Sequence, residues 1–512
     1  MERPARDRAR WTEHDAWLIA YPDHFGAGGV RAVAEVVDRL APTLNGVHIL
    51  PFHPSSGDGG FSVEDYAVID RAFGEWRDLA DLGARHRLMV DAVINHVSCR
   101  SEWFRAWLAG EPAVDGFFRV VPAASDLGAV VRPRAGAPVA SFERGGTAVD
   151  VWATFSADQV DLDYRSPAVL LAVVDVLLRY VVAGADAIRL DAIAYLWKDP
   201  ARPSIHERET HALVAVIRSI LDDIDPSLVL ITETNVPHAD NVSYFGSAAE
   251  PEADAVYQFT LAPVVLHAAL TGDVAPLRSW AAELERPAGA TFVNFLASHD
   301  GVGVRPARGW LDDDQIEALA RSCRAVGGVV NEAESGSGPE PYELAATWRA
   351  LCGHGVDDTT ARARVVATHA VMFALAGVPL VYAPSLAGSP NDTARYASSG
   401  HGRDLNRGRF ASPADFLGEV SSFGSPLVAM LDRRRSCPAF HPDADQTIHP
   451  RSDAAIVIER RAGSSRALVA VNFGPQAATV EIGDGWCDSA GVVLDSTVSV
   501  DPLAVVWLVS DS

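Results

Sequence analysis

The chain has 512 residues, too many for one simple core, and 48 % of them are hydrophobic against 21 % charged, the balance of a folded enzyme. Its formal net charge of −24 argues against nonspecific nucleic-acid binding and against anionic membranes. No apolar run reaches the roughly 18 to 20 residues of a membrane span. Residues 1–10 are charged with no apolar stretch behind them, unlike a secretory leader, so a cytoplasmic protein is expected. The cysteines Cys99, Cys323, Cys352, Cys437 and Cys487 are odd in number and include no close pair. That argues against a disulfide framework and against a zinc site. Lys198 is the only lysine, so the other cationic side chains are arginines.

In chain order, residues 17–21 read as a short apolar strand. A helix follows over 29–40, with Val30, Val33, Val36, Val37 and Leu40 on one face. Strand 46–50, helix 75–85 and strand 88–94 continue an alternation that indicates parallel strands joined by crossover helices. Residues 98–166 are rich in Gly, Pro and aromatics and have no sustained period. The stretch is too long for a plain loop and reads as an inserted small domain. Alternation resumes with helix 167–182, strand 186–190, helix 205–221 and strands 228–232, 255–259 and 291–297. A second irregular stretch, 301–355, holds one helix near 312–326, and then come helix 360–375 and strand 378–382. Eight strands is the number that a (β/α)8 TIM barrel requires. After about residue 439 short β segments at 454–460, 467–472, 478–482 and 504–509 predict a C-terminal antiparallel β domain. The expected domains are therefore a barrel over 1–97 and 167–438, an insert over 98–166 after the third strand, and a β domain over 439–512.

In a barrel of this kind the C-terminal ends of the strands hold the active site. Here those ends carry Asp91 followed by Asn95 and His96, then Arg189 and Asp191, then Glu233, then His299 and Asp300. Arg189 and Asp191, two apart, share a face of their strand. One rim thus gathers four carboxylates, two histidines and an arginine, a costly crowd that a structural protein has no reason to keep. Two carboxyls about 5 to 5.5 Å apart are the requirement of retaining glycosyl transfer, one ionised to attack and one protonated to release the leaving oxygen. Arg189 is expected to hold Asp191 anionic, and the crowded acids to raise Glu233.

These segments resemble the four signature regions of the α-amylase superfamily: Asp91-Ala-Val-Ile-Asn95-His96, Arg189-Leu-Asp191-Ala192, Ile231-Thr-Glu233-Thr-Asn235 and His299-Asp300. The resemblance implies Asp191 as nucleophile, Glu233 as acid/base and Asp300 as transition-state stabiliser, with His96, Arg189 and His299 around the first glucose. Within the superfamily the chain is most similar to the sucrose phosphorylase branch, through Gly46-Val-His-Ile-Leu-Pro-Phe52, Asp58-Gly-Gly-Phe61, Arg132-Pro-Arg134 and Gly402-Arg-Asp-Leu-Asn-Arg407, over roughly residues 18–409. The resemblance implies that Asp58 and Arg403 grip the nonreducing glucose and that Arg134 and Tyr195 hold phosphate or the acceptor.

Thr234-Asn-Val-Pro-His238, Pro341-Tyr-Glu-Leu344 and 385–392 look more like the relatives that cleave glucosylglycerate or sucrose 6′-phosphate, although Ala345 stands where those relatives usually have Asn. The resemblance therefore implies a hexosyltransferase acting as a disaccharide phosphorylase, with glucosylglycerate, sucrose or sucrose 6′-phosphate as donor. Phosphate would be the co-substrate, with no cofactor, no metal, small-molecule partners only, and a homodimer by analogy. An α-glucoside hydrolase or transglucosidase uses the same first-glucose motifs and is the alternative. A noncatalytic sugar-binding protein is disfavoured because all three acids are present.

Overall fold

The computed structural model describes residues 9–133, 136–335, 338–450, 452–483, 485–487, 494 and 496–511. Eight parallel strands close into a barrel: β1 (Trp17–Ala20), β2 (Gly46–Ile49), β3 (Arg87–Val93), β4 (Ala187–Asp191), β5 (Val229–Thr232), β6 (Ala255–Tyr257), β7 (Thr291–Asn294) and β8 (Val378–Tyr382). Each pairs with its neighbours in sequence, and β8 closes against β1. These are the eight strands expected from the sequence. Every residue in them is buried, because the barrel packs one side inward and a helix against the other, which leaves a near-continuous apolar run in the sequence.

The crossover helices include Val30–Leu40, Trp76–Arg85, Pro167–Val182, Arg208–Ile224 and Asp358–Ala374. In the first, Val30, Val33, Val36, Val37 and Leu40 are all buried, as their spacing predicts. Pro167 opens its helix at the first turn, where a missing N–H costs nothing. Two helices between β6 and β7, Leu261–Thr271 and Ala275–Ala282, were not predicted. Residues 261–269 are buried all round, so the segment has no polar face to give it a helical period.

After β3, the strand His96–Ser98 pairs antiparallel with Gln159–Asp161, and the hairpin Val139–Arg144 with Thr147–Trp152 lies between them in sequence. Phe104, Trp107, Phe118 and Phe142 pack ring against ring in this segment. The stretch read as irregular over 301–355 is more ordered than its sequence suggests. Besides the helix Asp313–Ala325 it contains a three-stranded sheet of Val302–Gly303, Gly338–Ala345 and Val329–Ser335. Pro339, Pro341 and a register shift at Asn331/Glu332 hide the strand pattern there.

At the C-terminus, Asp445–His449, Ala455–Ala462, Ser465–Asn472 and Val505–Asp511 form an antiparallel sheet. Its alternation of side chains decides its packing. Ile456, Ile458, Ala467, Val469, Val471 and Trp507 join the main core, while Ala455, Val457, Leu468, Ala470 and Leu508 face a separate small core under the pair Ala478–Glu481 and Thr497–Val500.

Candidate active site

Register brings the carboxylates together before any side chain is considered. Asp91 on β3 lies beside Arg189 on β4, and Arg189 lies beside Ile231 on β5. Two residues further along both strands, Asp191 and Glu233 are neighbours at the same rim. The Arg189 guanidinium is the hub. Its Nη1 donates to Asp91 Oδ1 at 2.6 Å and to Asp191 Oδ1 at 2.8 Å, and its Nη2 lies 3.7 Å from Glu233 Oε2. Its charge also lies over the Tyr257 ring, 5.0 Å from the centroid. Behind it, His48 Nε2 donates to the second Asp91 oxygen at 2.9 Å while Tyr257 donates its hydroxyl to His48 Nδ1 at 3.2 Å.

The chain turns sharply after Asp191. Ala192 adopts φ 50°, in the left-handed region, and its N–H donates to Glu233 Oε2 at 2.8 Å. Both residues are only 8 % exposed. Burial raises Asp191 well above the ordinary carboxylate range against the pull of Arg189, and Glu233, Asp91 and Asp300 add to the rise. Glu233 is raised too, again by burial first, with Arg189 opposing and Asp300 adding. Arg189 pulls Asp191 toward the anion as expected, but burial outweighs it. One guanidinium is divided among three acids, and the tightest of them, Asp91, takes the largest share. Burial works against the Asp91 charge as well, yet His48 and Arg189 hold that carboxyl well below its usual range.

Asp300 follows β7 and meets Arg403 Nη1 at 2.6 Å, with His299 Nε2 3.5 Å from its other oxygen. His299 is buried and lies flat on Phe61, centroids 4.6 Å apart and planes 7° apart. Burial, then Arg189 and Arg407, push it well below the usual histidine range, so it is neutral. His96, likewise lowered by burial, donates from Nε2 to the Phe61 carbonyl at 2.9 Å. Arg403 is clamped by Glu343 through two bonds of 3.0 and 2.8 Å, and its Nη1 stands 3.6 Å from Asp58. Asp58 itself sits at φ 47°, next to Gly59 at φ 63°. A Cβ on Gly59 would come 2.5 Å from Arg407 Nη1 and 2.6 Å from the Tyr21 hydroxyl, so only glycine fits. A cavity of about 880 Å³ lies on the outer side of this cluster; its walls include Asp58, Gln159, Arg403 and Arg407, and none of Asp191, Glu233 or Asp300.

Of the residues singled out in the sequence, Asp191, Glu233, Asp300, Asp58, His96, Arg189, His299 and Arg403 fall into this one network. Tyr195 stands on the Glu233 side. It is buried, with its hydroxyl pushed up to about 12 by burial and by Glu233 against Arg305. Arg134 lies outside the described residues. Ala345 is buried in the strand Gly338–Ala345 and packs toward Gly402, where a Cβ would lie 3.6 Å from its own; its departure from the relatives' Asn is met by a small apolar contact.

Sequence reading missed His48, Glu343 and Tyr257 as parts of the site. Glu343 stood in a quoted motif, but nothing local ties it to Arg403, 60 residues away. It also missed the place of Lys198. Its buried ammonium donates to Asn95 Oδ1 at 2.8 Å, lies 3.4 Å from the Asn95 carbonyl and 3.3 Å from that of Leu196, and meets Asp161 at 3.3 Å. A cation-seeking group of oxygens beside Asn95 is therefore served by a side chain.

Comparison with known proteins agrees with this geometry. Residues 23–302 match the family model described as "Alpha amylase, catalytic domain". A glucosylglycerate phosphorylase of Allomeiothermus silvanus is 42 % identical over 470 residues, covering 89 % of this chain and 84 % of that one. A sucrose phosphorylase of Bifidobacterium adolescentis is 30 % identical, covering 76 % of this chain and 79 % of that one. The crystal structure of sucrose 6F-phosphate phosphorylase from Thermoanaerobacter thermosaccharolyticum superposes with a TM-score of 0.82 at 22 % identity, over 95 % of this chain and 98 % of that one. The chain belongs to the α-amylase family, in the branch of its phosphorylases.

Proposed function

We propose that this enzyme converts glucosylglycerate and phosphate into α-glucose 1-phosphate and glycerate by two displacements with net retention. The reaction class is carried by one observation: Asp191 and Glu233, both buried and both raised, share the Arg189 guanidinium. The choice of donor is supported by the greater identity to the glucosylglycerate phosphorylase than to the sucrose phosphorylase, 42 % against 30 %.

In the first displacement Asp191, in direct contact with the guanidinium, carries the negative charge and attacks the anomeric carbon. Glu233, the acid farther from Arg189, gives its proton to the departing glycosidic oxygen. A glucosyl ester on Asp191 results. In the second, a phosphate oxygen attacks the same carbon, its proton passes to Glu233, and the Asp191 carboxylate leaves. Asp300, held by Arg403, stabilises the positive charge that develops on the sugar ring. Asp58 and Arg403 close the pocket behind a single glucose unit, His299 lines it as a neutral donor, and His96 stands beside it with its one N–H on the Phe61 carbonyl. Arg134 and Tyr195 serve the acceptor side, so Arg134→Ala is expected to reduce phosphorolysis more than hydrolysis. No cofactor enters this scheme.

The test offers glucosylglycerate, glucosylglycerol, sucrose and sucrose 6′-phosphate with and without phosphate, following glucose 1-phosphate and free glucose separately. The expected result is glucose 1-phosphate from glucosylglycerate that appears only with phosphate. Free glucose released at one rate, whether or not phosphate is present, would make the enzyme a hydrolase.

A further inference from the structure

Three arginines around the carboxylates are committed to partners. Arg189 serves Asp91 and Asp191, Arg403 serves Glu343 and Asp300, and Arg407 donates to the His299 carbonyl and stands beside Asp58. A fourth is not. Arg305 opens the short turn Arg305–Ala307 beyond β7, is half-buried, and its guanidinium has no ion-pair or hydrogen-bond partner among the described residues. A half-buried cation without an anion is costly, and the chain as a whole is strongly acidic, so carboxylates are not scarce.

Its position is fixed from two sides. The preceding residue, Val304, donates its N–H to the Tyr342 carbonyl at 3.0 Å, and the Tyr342 hydroxyl in turn accepts from the Asn235 amide at 3.2 Å. Asn235 is two residues past Glu233, and it packs so tightly on Gly303 that a Cβ there would come 2.6 Å from Asn235 Oδ1. That same Oδ1 is buried without a partner. The Arg305 charge reaches the Tyr195 hydroxyl, which also senses Glu233, and the His206 ring. This cluster of Arg305, Tyr195, Asn235 and Tyr342 lies on the side of Glu233, where a protonated acid delivers its proton to the leaving group. Asp58 and Arg403 grip the far end of the glucose.

Building on the phosphorylase reading above, we infer that Arg305 is the specificity-determining residue of the leaving-group side, where its guanidinium binds an oxyanion. The carboxylate of the departing acid occupies it first, and the attacking phosphate enters the same space once that acid has gone. An arginine fork suits both, since each offers two oxygens to parallel N–H donors. Neither glucose nor water has use for it.

The experiment compares the intact enzyme with Arg305→Gln and Arg305→Lys in three reactions: hydrolysis of α-glucosyl fluoride, phosphorolysis of α-glucosyl fluoride, and phosphorolysis of glucosylglycerate. The first involves neither anion, the second phosphate alone, and the third both. For Arg305→Gln, the kcat/KM for glucosylglycerate should fall about 10- to 100-fold relative to hydrolysis, the worth of a charge-assisted hydrogen bond, with partial recovery in Arg305→Lys. A relative loss confined to glucosylglycerate identifies the carboxylate as the ligand, and a loss in both phosphorolyses adds phosphate. Equal loss in all three reactions, or no relative loss, overturns the inference while leaving the phosphorylase reading intact. If the intact enzyme makes no glucose 1-phosphate from glucosylglycerate, that reading fails and the inference fails with it.

Discussion

The side chains that would do the chemistry are held in an unfavourable state, and this has consequences for stability as well as rate. Asp191 has its carboxyl raised above the unfolded value by burial. A group shifted in that direction favours the folded state most at low pH and costs stability as pH rises through its folded value. The charge that Asp191 must carry to attack is therefore a burden, and Asp191→Asn should remove nearly all turnover, by at least about 10⁴-fold, without lowering Tm. A Tm drop of more than about 3 °C in calorimetry would mean that Asp191 supports the fold. The same shifts set the pH dependence. Glu233 must keep its proton to release the leaving group, so kcat/KM falls as pH rises through its raised value. The alkaline limb should lie above the ~4.3 of an exposed glutamate, and a limb at or below that value would place Glu233 outside that role. The acids were legible in the sequence because each lies in or follows an apolar strand. Arg189 as a hub shared by three carboxylates was not, since the Asp91 contact spans 98 residues and the Glu233 contact 44.

Elements were legible where their burial leaves a one-dimensional trace. The eight strands appear as short apolar runs, and helix Val30–Leu40 shows its one-sided valines. The helix at Leu261–Thr271, buried on every side, leaves no such trace, and the sheet over 302–345 is masked by prolines and charges. Side chains that join separate elements also leave none. Lys198 follows the one-turn helix Ile193–Tyr195 and ties barrel to insert by bonding Asn95, at the end of β3, and Asp161, on the returning strand Gln159–Asp161. Lys198→Met would strand a buried carboxylate, a change that costs about 3 to 5 kcal/mol. Tm should fall by several degrees, with a weaker hold on the donor because His96 follows Asn95. An unchanged Tm would show that the insert is held without this ion pair.

For the whole molecule, the C-terminal sheet is part of the barrel's core. Ile458, Val469 and Trp507 pack into the main apolar cluster, and Trp507 lies 5.0 Å from Phe440 between ring centroids. Arg460, fully buried, donates to the Ala374 carbonyl at the end of helix Asp358–Ala374 and to the Ala444 and His441 carbonyls. Removing residues 439–512 would expose that apolar face and leave the Ala374 carbonyl without its Arg460 donor, so the shortened chain is expected to lack the cooperative thermal unfolding of the full one. A truncated barrel that unfolds cooperatively and keeps its activity would show instead that the sheet is an accessory. The sequence marked this region by its change to short β segments, but the alternation that sends every second residue into the barrel's core has meaning only once the sheet is docked.

The most direct test of the central claim, that Asp191 becomes glucosylated, is to trap the ester. The Glu233→Ala variant would be incubated with α-glucosyl fluoride, whose leaving group needs no proton, then digested and analysed by mass spectrometry. The account predicts a glucosyl adduct on the peptide containing Asp191, discharged as glucosyl azide when azide is added. An adduct on another residue, or none while the donor is still consumed with retention, would contradict it.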